Sequence, residues 1–404
     1  MDILPVQELS LDSAALKFIL LGFMLALSIL IDIIARRTGL PRISFLVLLG
    51  VIFAVIHQIY LGFENVSPLG KLTEPLINLA LVMVAFLLGG DLTLDKLKKT
   101  GKMIFIISLT VLIIGAVTVG VGLTFLGFSI VPVLALSAIS VATDPAAVRT
   151  VVKRKYRENR ESSLTAKVLL GIVAIDDAYG IISFAFAVAL IGWLTASGSS
   201  HVLVTAAWEL GGAIVVGSLI GYTAGKLTGH LQDGEPTQVE AFAVVLLLVG
   251  ITTWLHVSSL LAAMVAGFMV ANVSKHHTRS LREIENIEWP FIVFFFVLSG
   301  ASIDLSYVDE AIGVLLAFII FRVLGRMAGG WLGVQLLGKK DRQTLSKSIG
   351  FALTPQAGVA IGIALLIAER YPESGTLIVA VAVASTVFFE LIGPILVKRV
   401  LDRS

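Results

Sequence analysis

Apolar residues run along this chain in long, nearly unbroken blocks. They lack the three-and-four rhythm that turns one helix face toward a water-soluble core. A block of about 20 apolar residues matches the hydrocarbon thickness of a bilayer when coiled as an α-helix. The sequence predicts thirteen: roughly 14–35, 43–60, 74–90, 103–126, 130–152, 165–193, 202–229, 237–255, 258–273, 290–303, 310–337, 343–369 and 376–397. The shortest are 258–273 and 290–303. No polar stretch between them is long enough for a soluble domain. The expected fold is an all-α polytopic membrane protein with thirteen transmembrane helices, a single unit over 1–404.

The loops orient these spans. With the N-terminus outside, the inner segments collect clusters such as Arg36, Arg37 and Arg42, then Lys96, Lys98, Lys99 and Lys102, then Lys153, Arg154, Lys155 and Arg157. The outer segments hold only Lys17, Lys71 and Arg370. Positive charge stays on the cytoplasmic side, so the C-terminus is expected in the cytoplasm and the chain in the plasma (inner) membrane. An odd error in the span number would scramble this split. Composition agrees: charged residues are 14% and apolar residues 57%, against about 25% charge in a soluble domain. A net charge of +2 gives no ground for nucleic-acid binding. With no cysteine, disulfides and thiolate metal sites are excluded. The histidines form no H-x-x-H or H-E-x-x-H pattern, so neither a structural zinc site nor any other cofactor is expected. Asp2, Glu8 and Asp12 stand where a signal peptide carries basic residues, and no cleavable signal is expected.

Two spans are interrupted in the same way. The fifth reads Thr143-Asp144-Pro145 and the twelfth Thr354-Pro355-Gln356. Proline lacks an N–H and restricts the residue before it, so each helix opens there. In lipid such a break survives only where it is buried in protein or lines a cavity. The breaks lie seven spans apart, so their segments run in opposite directions. This predicts an inverted repeat, spans four to six against eleven to thirteen, with two crossed discontinuous helices.

Most deeply placed charges fall in the same six spans. Asp176 and Asp177 sit mid-span in the sixth, Arg322 and Arg326 in the eleventh, and Glu390 in the thirteenth. Ionisable groups at membrane depth are costly and mark ion or proton paths. Residue counts from the span ends put Asp177 and Arg322 near the midplane, with Arg326 and Glu390 in the inner half. Two pairs follow from depth alone: Asp176 or Asp177 with Arg322, and Glu390 with Arg326. Asp32 and Glu209 lie nearer the surfaces, where solvation or capping suffices. The run GRMAGGWLG reads as close helix packing, not a phosphate cradle.

Asp176 and Asp177 are consecutive on one helix and lie about 100° apart around it. They cannot do the same job. One can face a water-filled cavity and take a proton or a small cation in competition, while the other packs into protein. That competition couples the two ions if the site opens to each side in turn. At the crossing, Asp144 would offset the positive half-helix ends, and freed carbonyls near Thr143 would help ligate a cation. As scaffold, Asp144 would simply cap a helix and Asp176 would be one member of a structural ion pair.

The runs ATDPAAV (142–148), AIDDAYGI (174–181), FRVLGR (321–326) and ALTPQAGVAIGIAL (352–365) together resemble the monovalent cation:proton antiporter superfamily. FLLGGDLTLDKLKK (86–99) and FFFVLSGASIDL (294–305) resemble its connecting segments, and the similarity runs from about residue 20 to 400. The resemblance implies a homodimer that exchanges sodium or potassium for protons by an elevator movement. It implies an ion-translocation core over about 103–193 and 310–397 and a dimer or scaffold part over about 14–90 and 202–303. It makes Asp177 the carrier of the transported cation and proton, Asp176 its neighbour at the cation, and Asp144 the acid at the crossing, with sodium the foremost cation. The sequence departs from the family pattern in joining the Asp-Asp pair to Arg322, where such members generally place lysine. Arginine holds its proton, so it cannot act as a second proton carrier.

Other readings fare less well. A potassium/proton antiporter or a channel-like cation efflux protein fits the same fold, but the related efflux branch normally adds a cytoplasmic nucleotide-binding domain. An intramembrane aspartyl protease needs acids on two different helices, in Tyr-Asp and Gly-x-Gly-Asp contexts. Neither context occurs, and no enzymatic activity is expected.

Overall fold

A computed structural model describes residues 14–38, 42–61, 72–91, 101–159, 163–195, 200–227, 237–274, 277–301, 308–356 and 358–403. Those residues are helical apart from short turns. In chain order the helices are α1 Ala14–Thr38, α2 Arg42–Leu61, α3 Thr73–Asp91, α4 Lys102–Phe125, α5 Ile130–Ile139, α6 Pro145–Asn159, α7 Leu164–Thr195 and α8 Ser200–Leu227. They continue with α9 Thr237–Leu255, α10 Ser259–Val273, α11 His277–Ala301, α12 Val308–Gln335, α13 Lys339–Thr344, a 3-10 turn at Ile349–Leu353, α14 Gly358–Arg370 and α15 Pro372–Leu401. Each predicted span corresponds to a helix, except the fifth, which is two half-helices, and the twelfth, which is a 3-10 turn followed by a helix. Seven of these helices are long and apolar enough to cross a membrane by length and composition. The connecting runs 92–100 and 302–307, read in the sequence for their resemblance, lie outside the described residues.

Polarity is arranged inside out. Phe18, Phe125, Leu219 and Trp254 are exposed, whereas Asp176, Arg322, Arg326 and Glu390 are buried. That suits a solvent of lipid, in which apolar surface costs nothing and a lone charge costs much.

Two expectations need correction. Span ten does not begin near residue 290, because α11 starts at His277 and continues through Pro290. Its first two turns, HTRSLRE, lie outside the apolar stretch Ile284–Ala301 but are helical all the same. The first limb of the second broken span is not an α-helix either. The short α13 and the 3-10 turn replace it.

Small residues set the closest approaches. Gly325, Gly329 and Gly333 recur every fourth residue along α12 and face α4. An added Cβ would stand 2.9 Å from Gly115 Cα, 2.7 Å from Val111 Cα and 2.9 Å from Ile107 Cα, respectively. Real side chains do not tolerate such distances, so the two helices touch through backbone. The packing reading of GRMAGGWLG therefore holds. It also brings the part of α12 that carries Arg322 and Arg326 against the two breaks.

Candidate ion site at the crossed helix breaks

The first break lies between α5 and α6. α5 ends at Ile139, leaving the carbonyls of Ser140, Val141 and Ala142 without continuing helical partners. Pro145 opens α6, a position where its missing N–H costs nothing. The Asp144 carboxylate accepts from the Ala147 N–H at 3.2 Å, as an N-cap does. The second break, Thr354-Pro355-Gln356, lies directly against the first. The Asp144 N–H donates to the Pro355 carbonyl at 2.9 Å. α7 touches both breaks, since a Cβ added at Gly180 would lie 3.7 Å from Ala142 Cβ and 3.8 Å from Val359 Cγ1. Crossed discontinuous helices are thus a feature of the structure.

Two arginines from α12 hold the open carbonyl ends. Arg322 donates to Ser140 O at 3.2 Å, Ala142 O at 2.8 Å and Thr354 O at 2.6 Å. Its guanidinium lies 4.3 Å from the ring centroid of Phe389. Arg326 donates to Ser140 O at 2.8 Å, to Val141 O, and to Ala142 O at 3.3 Å. Positive charge at the carbonyl end of a half-helix is the favourable sign.

Asp176 completes the cluster. Its Oδ2 accepts from Thr143 Oγ1 at 2.6 Å and from Arg326 Nη1 at 3.3 Å, and its Oδ1 accepts from Ser108 Oγ at 3.1 Å. The ion pair of Asp176 is therefore with Arg326, not with Arg322. Glu390 does not pair with Arg326. It accepts from Ser44 Oγ of α2 at 2.5 Å. Depth placed these residues in one coordinate only. Arg322 and Arg326 share one face of α12, and their neighbours around that face, the break carbonyls, take most of their donors. Asp177 lies on α7 beside Asp176, but its side chain is outside the described residues.

Of the remaining expected residues, Thr143, Asp144, Thr354 and Gln356 are buried at the crossing, and Pro145 and Pro355 make the breaks. Ser108, Ser44 and Phe389 were not anticipated. Their only sequence signal is a hydroxyl or an aromatic ring within an apolar span. Asp32 pairs with Arg42 at 2.7 Å, and Glu209 makes a two-point contact with Arg370. Both acids therefore have surface ion-pair roles.

A cavity of about 590 Å³ reaches the crossing from one side. It is lined by Thr143, Asp144 and Pro145 at the break and by Arg149, Lys153, Glu285 and Glu288 toward its mouth. A second cavity, about 320 Å³, lies among Glu209, His256 and Arg370. It meets α7 at Phe184 and Val188, two turns or more beyond Asp176, and touches neither break.

A buried carboxylate fixed by a guanidinium where two broken helices cross, with a cavity reaching the crossing, is the arrangement of an ion-coupled membrane transporter. A family model described as "Sodium/hydrogen exchanger, transmembrane" matches residues 23–403, and the chain belongs to that family. It is 29% identical to Na(+)/H(+) antiporter 1 of Methanocaldococcus jannaschii, with 95% of this chain and 92% of the relative covered. It is 25% identical to the K(+)/H(+) antiporter subunit KhtU of Bacillus subtilis, with 85% and 84% covered. The structure of the sodium proton antiporter MjNhaP1 from Methanocaldococcus jannaschii at pH 8 matches with a TM-score of 0.71 at 22% identity, covering 95% of this chain and 98% of that one. That last likeness concerns the fold.

Proposed function

We propose that this protein is a secondary transporter that exchanges a monovalent cation, sodium foremost, for protons by alternating access. The observation that carries the reading is the state of Asp176. Both of its oxygens are engaged, by Ser108 on one side and by Thr143 and Arg326 on the other. An acid so held fixes the site rather than cycling. The exchange then falls to Asp177, about 100° further round the same helix, which takes a sodium ion or a proton in turn. Asp144 ties the crossing together and contributes charge to it, and Thr143 joins it to Asp176.

The packing supports an elevator division. The first break, α6 and α14 of the expected core meet α2, α3 and α11 of the expected scaffold across the larger cavity. The basic residues at its mouth, Arg149 and Lys153, favour a cytoplasmic opening. On that orientation the N-terminus lies outside and this cavity faces the cytoplasm. The scaffold's α1 exposes a long apolar face, and we assign homodimer contact to the scaffold. The potassium/proton relative supports potassium as the second reading for the cation.

The test is a pH-dye assay in vesicles containing the purified protein, with sodium, potassium and lithium added in turn. Cation-driven proton movement, largest with sodium, supports the proposal. Cation flux without proton movement points to a channel and rejects it.

A further inference from the structure

The break carbonyls are spoken for. Ser140, Val141 and Ala142 accept from the two arginines, Thr354 accepts from Arg322, and Pro355 accepts from the Asp144 N–H. Most of the backbone oxygens freed at the two breaks thus already serve as internal acceptors. Further oxygens for an ion here are then to be sought among side chains as well.

One side chain at the crossing stands out. Gln356 is fully buried, and neither its Oε1 nor its Nε2 has a hydrogen-bond partner. A buried amide left unmet at both ends is costly in protein and more so at membrane depth, where no bulk water relieves it. A sequence that retains such a group at a helix break has a use for it. Its place is informative. Gln356 follows the carbonyl that binds Asp144, and Gly358 and Val359, just beyond it, line the 590 Å³ cavity. Gln356 therefore stands at the second break, two residues before the segment that lines the cavity with Thr143 and Asp144.

The facing helix repeats the observation. Pro355 rests against α15 at Gly393, where an added Cβ would stand 2.7 Å from the proline ring. Thr386, Glu390 and Gly393 recur at i, i+4 and i+7, one face of α15. The Thr386 hydroxyl on that face is also fully buried and without a hydrogen-bond partner. A second unmet polar group thus lies about two turns along the helix that packs on the second break.

We infer that Gln356 is a ligand of the transported cation, its amide oxygen replacing a water of the ion's shell in the occluded state. The inference rests on the exchange reading above and adds a residue that the acids alone do not supply. An amide oxygen is a neutral hard donor. It adds affinity without adding a proton site, so it acts on cation binding and leaves the proton step to the aspartates.

The experiment compares wild type with Gln356→Leu, which keeps bulk and removes both polar atoms, and with Gln356→Glu, which keeps an oxygen. The readouts are the apparent KM and maximal rate for sodium, potassium and lithium in proteoliposomes, and the thermal shift given by each cation on purified protein. Gln356→Leu is expected to raise the apparent KM for sodium about tenfold or more, as befits loss of a hydrogen-bonding group to a charge. Its maximal rate should stay within about twofold, and its sodium-dependent thermal shift should vanish. Gln356→Glu should recover much of the affinity. Should the leucine variant not fold, Gln356→Met serves in its place with the same expectations. An unchanged KM and thermal shift in the apolar variant, while wild type exchanges normally, would overturn the inference and leave the exchange reading standing. Wild type that moves no protons would instead overturn the exchange reading itself.

Discussion

Arg326 reaches Asp176 Oδ2 at 3.3 Å while its other terminal nitrogen holds the carbonyls of Ser140 and Ala142. One guanidinium thus ties the sixth span to the open end of the fifth. Removing one partner of a buried pair typically costs about 3–5 kcal/mol. Arg326→Gln is predicted to lower the apparent unfolding temperature sharply. In a double-mutant cycle with Asp176→Asn, the two changes should fall short of additivity by about 1–3 kcal/mol. Strict additivity in detergent melts would show that the pair carries no coupling.

Arg322 has a different role. Its donors go to three carbonyls and its flat face to Phe389. Lysine has no planar fork to span those acceptors. Arg322→Lys is therefore predicted to lose thermal stability while the pH profile of exchange keeps its shape. A shifted profile with normal stability would place Arg322 in the proton path.

The two breaks, their inverted arrangement and most helices are legible in the sequence, because proline at membrane depth and long apolar runs each have one physical reading. The pairings are not. Counting residues along a helix gives depth, and depth leaves open which way a side chain points. Arg322 and Arg326 were assigned to acids of similar depth. In the structure they share a face with the break carbonyls, which a sequence read residue by residue does not reveal. Glu390 found Ser44, a single hydroxyl 346 positions away with nothing in its local pattern to mark it. The start of α11 was missed for a related reason, since hydropathy registers lipid contact and not helix.

Ser44 on α2 and Glu390 on α15 are both buried and joined at 2.5 Å. If α2 is scaffold and α15 is moving core, this bond must break and re-form in every cycle. Ser44→Ala is predicted to change the maximal exchange rate by up to about tenfold, the scale of one charge-assisted hydrogen bond. The apparent KM for the cation should barely move. A change in KM at constant rate would bring Glu390 into the cation site instead.

Lys155 donates to Asp402 at 2.9 Å and also reaches the Leu401 carbonyl, joining α6 to the end of α15. The lysine hydrogen bond holds the exposed Asp402 carboxyl below the usual aspartate range. A lowered folded-state value means that the stabilisation is present above the unfolded-state value and is lost as pH falls through the folded one. Asp402→Asn is predicted to have its small stability deficit near neutral pH and to converge with wild type in acid. The check is apparent melting temperature from about pH 7 down to about pH 3. A deficit that grows in acid would contradict the sign of this linkage.

The central claim is that Asp177 carries the exchanged ions while Asp176 is held by Arg326. It is tested most directly by a sodium jump on vesicles containing wild type or Asp177→Asn, with internal pH followed by dye. The asparagine keeps the shape of the side chain but can neither titrate nor neutralise a cation. The account predicts proton movement with wild type and none above the protein-free background with Asp177→Asn, although the variant reconstitutes and melts like wild type. Proton exchange by Asp177→Asn at near wild-type rate would contradict it and move the carrier elsewhere in the crossing.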